Sequence, residues 1–188
     1  MGVFIDKTYT SIDFSATRLK TGEYDNCAFV DCDFSNTHLS ICTFLECSFT
    51  DCNLTNVKFG GTAFTEVSFE KCKLLGADFS VCNDFMLQVR FRESTLNFAS
   101  FTGIKLANTH FDNCPLKEAD FTEAILTGAH FESCDLSQTT FEQTNLEKAN
   151  FTTAYNIQID PEKNKLKGAK FSKENVAGLL KKYKISVF

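Results

Sequence analysis

Ala119-Asp120-Phe121-Thr122-Glu123 and, three pentapeptides further on, Cys134-Asp135-Leu136-Ser137-Gln138 follow one pattern. A small residue and an acid precede a large apolar residue, and two polar residues follow it. In steps of five the large residue recurs at Phe91, Leu96, Phe101, Leu106, Phe111, Leu116, Phe121, Leu126, Phe131, Leu136, Phe141, Leu146 and Phe151, and Leu166 and Phe171 rejoin after a gap. Toward the N-terminus the step runs through Phe4, Tyr9, Phe14, Leu19, Tyr24, Phe29, Phe34, Leu39, Phe44, Phe49, Leu54, Phe59, Phe64, Phe69, Leu74 and Phe79. Of 21 phenylalanines, Phe85, Phe98 and Phe188 stand off these positions.

A five-residue step rotates about 140° around an α-helix and changes faces along a straight strand, so either element would scatter these side chains. A chain that turns a corner every five residues keeps them all inward. Such a chain winds coil upon coil as a solenoid held by nearest-neighbour stacking. Two residues before most of the large ones, from Phe29 on, lies a second inward position occupied by Cys, Thr, Val or Ala, and all nine cysteines keep this spacing. Cys82 does so against Asp84, where the large residue fails. The register slips by two residues over Val81–Leu87, which places a bulge or short loop at Asn83-Asp84. The Phe/Leu alternation after residue 91 requires an even number of sides.

The pattern resembles the pentapeptide-repeat family, most closely in Ala77-Asp78-Phe79-Ser80 and the two stretches quoted first. That resemblance covers roughly residues 4 to 155 and implies an all-β solenoid, a right-handed quadrilateral β-helix with four pentapeptides per coil. At the strand spacing of about 4.8 Å it would form about 7 to 8 coils and a rod roughly 36 Å long. The chain divides into this rod, residues 1–155, and a C-terminal module, residues 156–188. In the module, Ser172 precedes an amphipathic pattern of Val176, Leu179, Leu180 and Tyr183, spaced for a short α-helical cap. Lys184-Ile185-Ser186-Val187-Phe188 reads as a strand. The arrangement is similar to the C-terminal module of the quinolone-resistance (Qnr) and mycobacterial fluoroquinolone-resistance branches. This similarity implies a homodimer through Val176, Leu179, Leu180, Tyr183, Ile185 and Val187. Qnr proteins carry long loops on their coils, and this sequence has none.

The cysteines read as small apolar core residues, free thiols in a reducing compartment. No signal peptide and no membrane-spanning stretch is present, so a cytoplasmic location is expected. His110 and His130 fall one coil apart, where they could stack on one wall, and they read as an ordinary exposed pair in preference to a metal site. No nucleophile motif, glycine-rich phosphate loop or carboxylate pair stands out. The expectation is a non-enzyme with no catalytic, cofactor-binding or metal residues.

Charge is divided along the chain. Residues 1–155 carry 11 Lys and Arg against 21 Asp and Glu, and residues 156–188 carry 8 against 3. An acidic rod repels nucleic acid, so the expected partner is a protein. By the resemblance that partner is DNA gyrase, engaged through partial DNA mimicry. The mimicry is incomplete, because a duplex about 36 Å long carries about 21 charges, twice the net charge of the rod. Asp84, Phe85 and Phe98 are the candidate contact residues near the slip. The alternative is a structural or scaffolding protein with no topoisomerase contact.

Overall fold

Corners come first, because they decide everything else. The residue ending most pentapeptides takes a left-handed backbone, as at Asp6, Asn26, Asp31, Asn36, Glu46 and Asp51. Asn and Asp tolerate this conformation and glycine adopts it freely, which explains Gly61, Gly103 and Gly128 at equivalent corners. Three corners are apolar instead: Ile41, Met86 and Phe98.

The computed structural model describes residues 2–185. Parallel partners lie twenty residues apart, as in Phe4 with Tyr24 and Tyr24 with Phe44, so a coil is four pentapeptides and the solenoid has four walls. The first wall is a sheet of β1 (Gly2–Ile5), β3 (Gly22–Asp25), β5 (Thr43–Leu45) and β7 (Ala63–Thr65). The second wall stacks β2 (Thr8–Thr10), β4 (Ala28–Val30), β6 (Ser48–Thr50), β8 (Val67–Glu70), β9 (Val89–Arg92), β10 (His110–Asp112) and β11 (His130–Glu132). The third and fourth walls are held by single bridges such as Asp33 with Asn53 and Lys58 with Asp78. The winding is right-handed, as parallel crossovers are in nearly all sheets.

Inside, each wall contributes one column. Phe111 stacks on Phe131 at 4.9 Å and Phe131 on Phe151 at 4.8 Å, while Phe101 meets Phe111 edge-on at 6.0 Å. The cysteine position works as expected: Cys27, Cys47, Cys52 and Cys134 are free and buried. Cys47 Sγ donates to the Tyr24 and Leu45 carbonyls, both at 3.3 Å. Thr144 Oγ1 reaches the Phe121 carbonyl in the same way.

The acid of the repeat has a local task that the pattern alone did not reveal. Asp120 Oδ1 accepts from the Thr122 amide and hydroxyl, and Asp135 Oδ1 from those of Ser137. These short loops back to the chain hold the corner that follows.

Regularity breaks in two places. Residues 14–17 form a single helical turn, α1 (Phe14–Thr17), capped by Asp13, where a pentapeptide side was expected. At the slip, Asn83 still pairs with Ala63, whereas Val89 pairs with Val67. The two extra residues therefore fall after Asn83, and the turn is made by Phe85 and Met86 and not by Asn83-Asp84. Coil register also continues past residue 155, through Asn150 with Lys170 and Phe151 stacked on Phe171 at 5.2 Å.

The C-terminal cap is not an α-helix. It is two 3-10 turns, Val176–Leu179 and Lys181–Tyr183. The physical reason lies at two anchors. Asn175 Nδ2 donates to the Phe151 and Ala154 carbonyls at 2.6 and 2.9 Å, closing the last coil. Gly178 is pressed so close that a Cβ there would lie 2.2 Å from the Ile157 carbonyl oxygen. A segment fixed at points three residues apart suits the three-residue period of a 3-10 turn. Leu179 packs on the core, while Val176, Leu180, Tyr183 and Ile185 are exposed. Val187 and the strand expected to end at Phe188 fall outside the described residues.

Candidate interaction surface

The four N-terminal coils concentrate acid on adjoining walls. Segments 2–11, 22–31, 42–51 and 62–71 form the first and second walls there. They carry Asp6, Glu23, Asp25, Asp31, Glu46, Asp51, Glu66 and Glu70 against Lys7 and Lys71. None of these eight carboxylates joins an ion pair among the described residues. Asn26 Nδ2 donates to Asp6 Oδ1 at 2.7 Å and Ser11 Oγ to Asp31 Oδ2 at 2.9 Å, which orients two of them outward. Three coil rises span about 14 Å, a length over which duplex DNA carries about eight charges. The local net of −6 therefore approaches the DNA value more closely than the whole rod does.

Asp84 and Phe85 meet at the slip. Asp84 takes the first-wall column position where Phe64 stands one coil earlier, and its Oδ2 lies 3.0 Å from Lys105 Nζ. Phe85 projects from the next position, 73% exposed. Phe98 is exposed as well, but it sits on the corner leaving the third wall, diagonally across the coil. The three candidates therefore do not form one patch. Behind the slip, Glu66, Gln88, Arg90 and Asn108 line a cleft of about 320 Å³. A larger cleft of about 580 Å³ separates the last coil from the cap, between Thr152–Ile157 and Asn175, Gly178 and Ile185.

The cap is clasped to the rod by charge. Lys182 Nζ lies 2.5 Å from Asp160 and 2.7 Å from Glu162, and Tyr183 donates to Glu162 at 2.8 Å. Hydrogen bonds from Lys182 hold both carboxyls below the ordinary carboxylate range.

His110 and His130 stack at 4.5 Å with rings 12° from parallel, as expected. Among the described residues no group of three or more His, Cys, Asp or Glu is placed to hold a metal. Burial pushes the Cys47, Cys82 and Cys114 thiols up to about 12, which leaves them protonated at neutral pH. Among the described residues no helix is long and apolar enough to cross a membrane.

Sequence reasoning missed the division of acid between walls. The signal was available: once twenty residues make a coil, sorting charges by position modulo twenty separates the acidic N-terminal walls from the rest.

Comparisons with known proteins fit this architecture. A trypsin-treated form of QnrB1, a plasmid-mediated fluoroquinolone resistance protein, superposes with a TM-score of 0.69 at 17% identity, over 100% of both chains. Full-length QnrB1 gives 0.65 at 17% identity, over 98% of this chain and 100% of that one. At such identity the likeness shows a shared fold. A search of curated proteins returns no match. The family model described as the pentapeptide repeat region matches residues 23–101, 42–121, 82–151 and 104–179, so the chain belongs to the pentapeptide-repeat family.

Proposed function

We propose that this chain is a non-catalytic binding protein whose acidic N-terminal walls occupy the DNA-binding groove of a type II topoisomerase, gyrase. The observation that carries the reading is the set of eight carboxylates, in no ion pair among the described residues, spread over about 14 Å of two adjoining walls. A groove built to neutralise phosphates with Lys and Arg offers such a surface the same partners, at comparable charge spacing. The shared fold with a fluoroquinolone resistance protein supports the choice of target. The protein acts in the cytoplasm as a homodimer, joined where Val176, Leu180, Tyr183 and Ile185 leave apolar surface on the cap.

A supercoiling assay with purified gyrase and a quinolone tests the proposal. Protection of gyrase from the drug, or inhibition of supercoiling without it, is the expected result at micromolar protein. Neither effect at that concentration would leave a scaffolding role.

A further inference from the structure

Two of the lysines near the C-terminal end are held by carboxylates, and five on the last two coils are not. Lys163 pairs with Glu142 at 2.9 Å, and Lys182 is held by Asp160 and Glu162. Lys148, Lys165, Lys167, Lys170 and Lys173 are all exposed and join no ion pair among the described residues. The register gathers the first four at one corner, and Lys173 lies at the next. Lys165 follows Asn145 on the first wall, and Lys170 follows Asn150 on the second. Lys148 and Gly168 share the corner between those walls, where a Cβ on Gly168 would lie 3.4 Å from Lys148 Cγ. Across segments 144–153 and 164–175 the only carboxylates are Glu147 and Glu174.

We propose that this basic corner is a second binding surface, one that takes the phosphate backbone of duplex nucleic acid. Five unneutralised ammonium groups within two coils repel one another, a cost that a polyanion removes. The acidic N-terminal coils do not prevent the contact. On the first wall the two preceding coils, 104–108 and 124–128, contain no carboxylate, and the matching second-wall segments, 109–113 and 129–133, contain one each, Asp112 and Glu132. Two coil rises come to about 9.6 Å, beyond the screening length of roughly 8 Å at physiological salt. The general expectation that the rod repels nucleic acid therefore holds for its acidic coils and fails at this end. The contact reads no sequence, because exposed lysines on a convex corner reach phosphates and not base edges.

Fluorescence anisotropy of a labelled duplex of about 20 base pairs, with purified protein and no topoisomerase, tests this. Weak binding is expected at roughly 50 mM salt, falling by about two to three orders of magnitude at roughly 200 mM, since up to five phosphates are neutralised. The triple variant Lys165→Glu, Lys167→Glu, Lys170→Glu should abolish binding while keeping the circular dichroism of the parent. Absence of duplex binding at low salt overturns the proposal, as does binding that survives charge reversal. Anionic vesicles bound in preference to duplex would assign the corner to a membrane surface and equally overturn it.

Discussion

Lys105 Nζ lies 3.0 Å from Asp84 Oδ2, and this pair marks the one layer of the first wall where a carboxylate stands in place of a large apolar side chain. Both side chains are well over a third exposed, so the pair adds little to stability. Leu87, two residues into the insertion, packs against the core there. Asp84→Asn should change unfolding free energy by under about 1 kcal/mol, and Leu87→Ala should cost about 2 kcal/mol. Urea denaturation of both variants checks the order, and a larger loss for Asp84→Asn would show that the ion pair, not Leu87, holds the slip.

Ile41 is a β-branched residue at φ 57°, 64% exposed. The left-handed conformation costs such a residue roughly 1 to 2 kcal/mol, and its side chain gains little burial in return. Ile41→Gly should therefore raise the melting temperature by a few degrees, in keeping with a gain of about 1 kcal/mol. A fall would mean that Ile41 makes a contact worth more than its strain.

Gly178 has no space for a methyl group, because the obstacle is the Ile157 backbone and not a movable side chain. Gly178→Ala should lift the cap. Hydrogen exchange would speed up at Gly178, Leu180 and Tyr183 while the amides of Phe111 and Phe131 stay protected. Uniform acceleration along the rod would instead show that the cap and the coils unfold as one unit.

Burial raises the Cys47, Cys82 and Cys114 thiols from 9.0 to about 12. Between these values the unfolded chain releases protons that the folded chain retains, so stability falls as pH rises from about 9 toward 12. The clasp works in the other direction: Asp160 and Glu162 are depressed, so their contribution is present above the ordinary carboxylate range and is lost as pH falls through their folded values. Thermal melts across pH should give a plateau near neutrality with an alkaline decline. Replacing Cys47 and Cys114 with Ala should flatten that decline, and an unchanged slope would exclude these two thiols as its cause.

The coil could be read from the sequence because a single five-residue period fixes both the inward columns and the corners. The inward cysteines follow from it and the Phe/Leu alternation adds an even side count, whereas the four-sided coil, and with it the pairing of His110 with His130, comes from the family resemblance. The exceptions could not be read so easily. Asn83 and Asp84 look like a bulge in a linear pattern, yet backbone pairing with Ala63 keeps Asn83 in register and moves the extra residues downstream. Val176, Leu179, Leu180 and Tyr183 fit an α-helical stripe, but that periodicity does not register the close approach at Gly178 or the plug formed by Asn175. Phe85 and Phe98 are near in sequence and opposite in space, because a corner turns the chain between them.

The role of the acidic walls is tested most directly by competition between this protein and a labelled duplex for purified gyrase. Asp25→Lys, Glu46→Lys and Glu66→Lys together reverse the first wall at outward positions. Lys71 and Lys148 already occupy equivalent left-handed corners, so the backbone accepts lysine at Glu46 and Glu66. The parent protein should displace duplex from gyrase at micromolar concentration, and the triple variant should fail to do so while melting as the parent does. Displacement by both proteins alike, or by neither, would contradict the assignment.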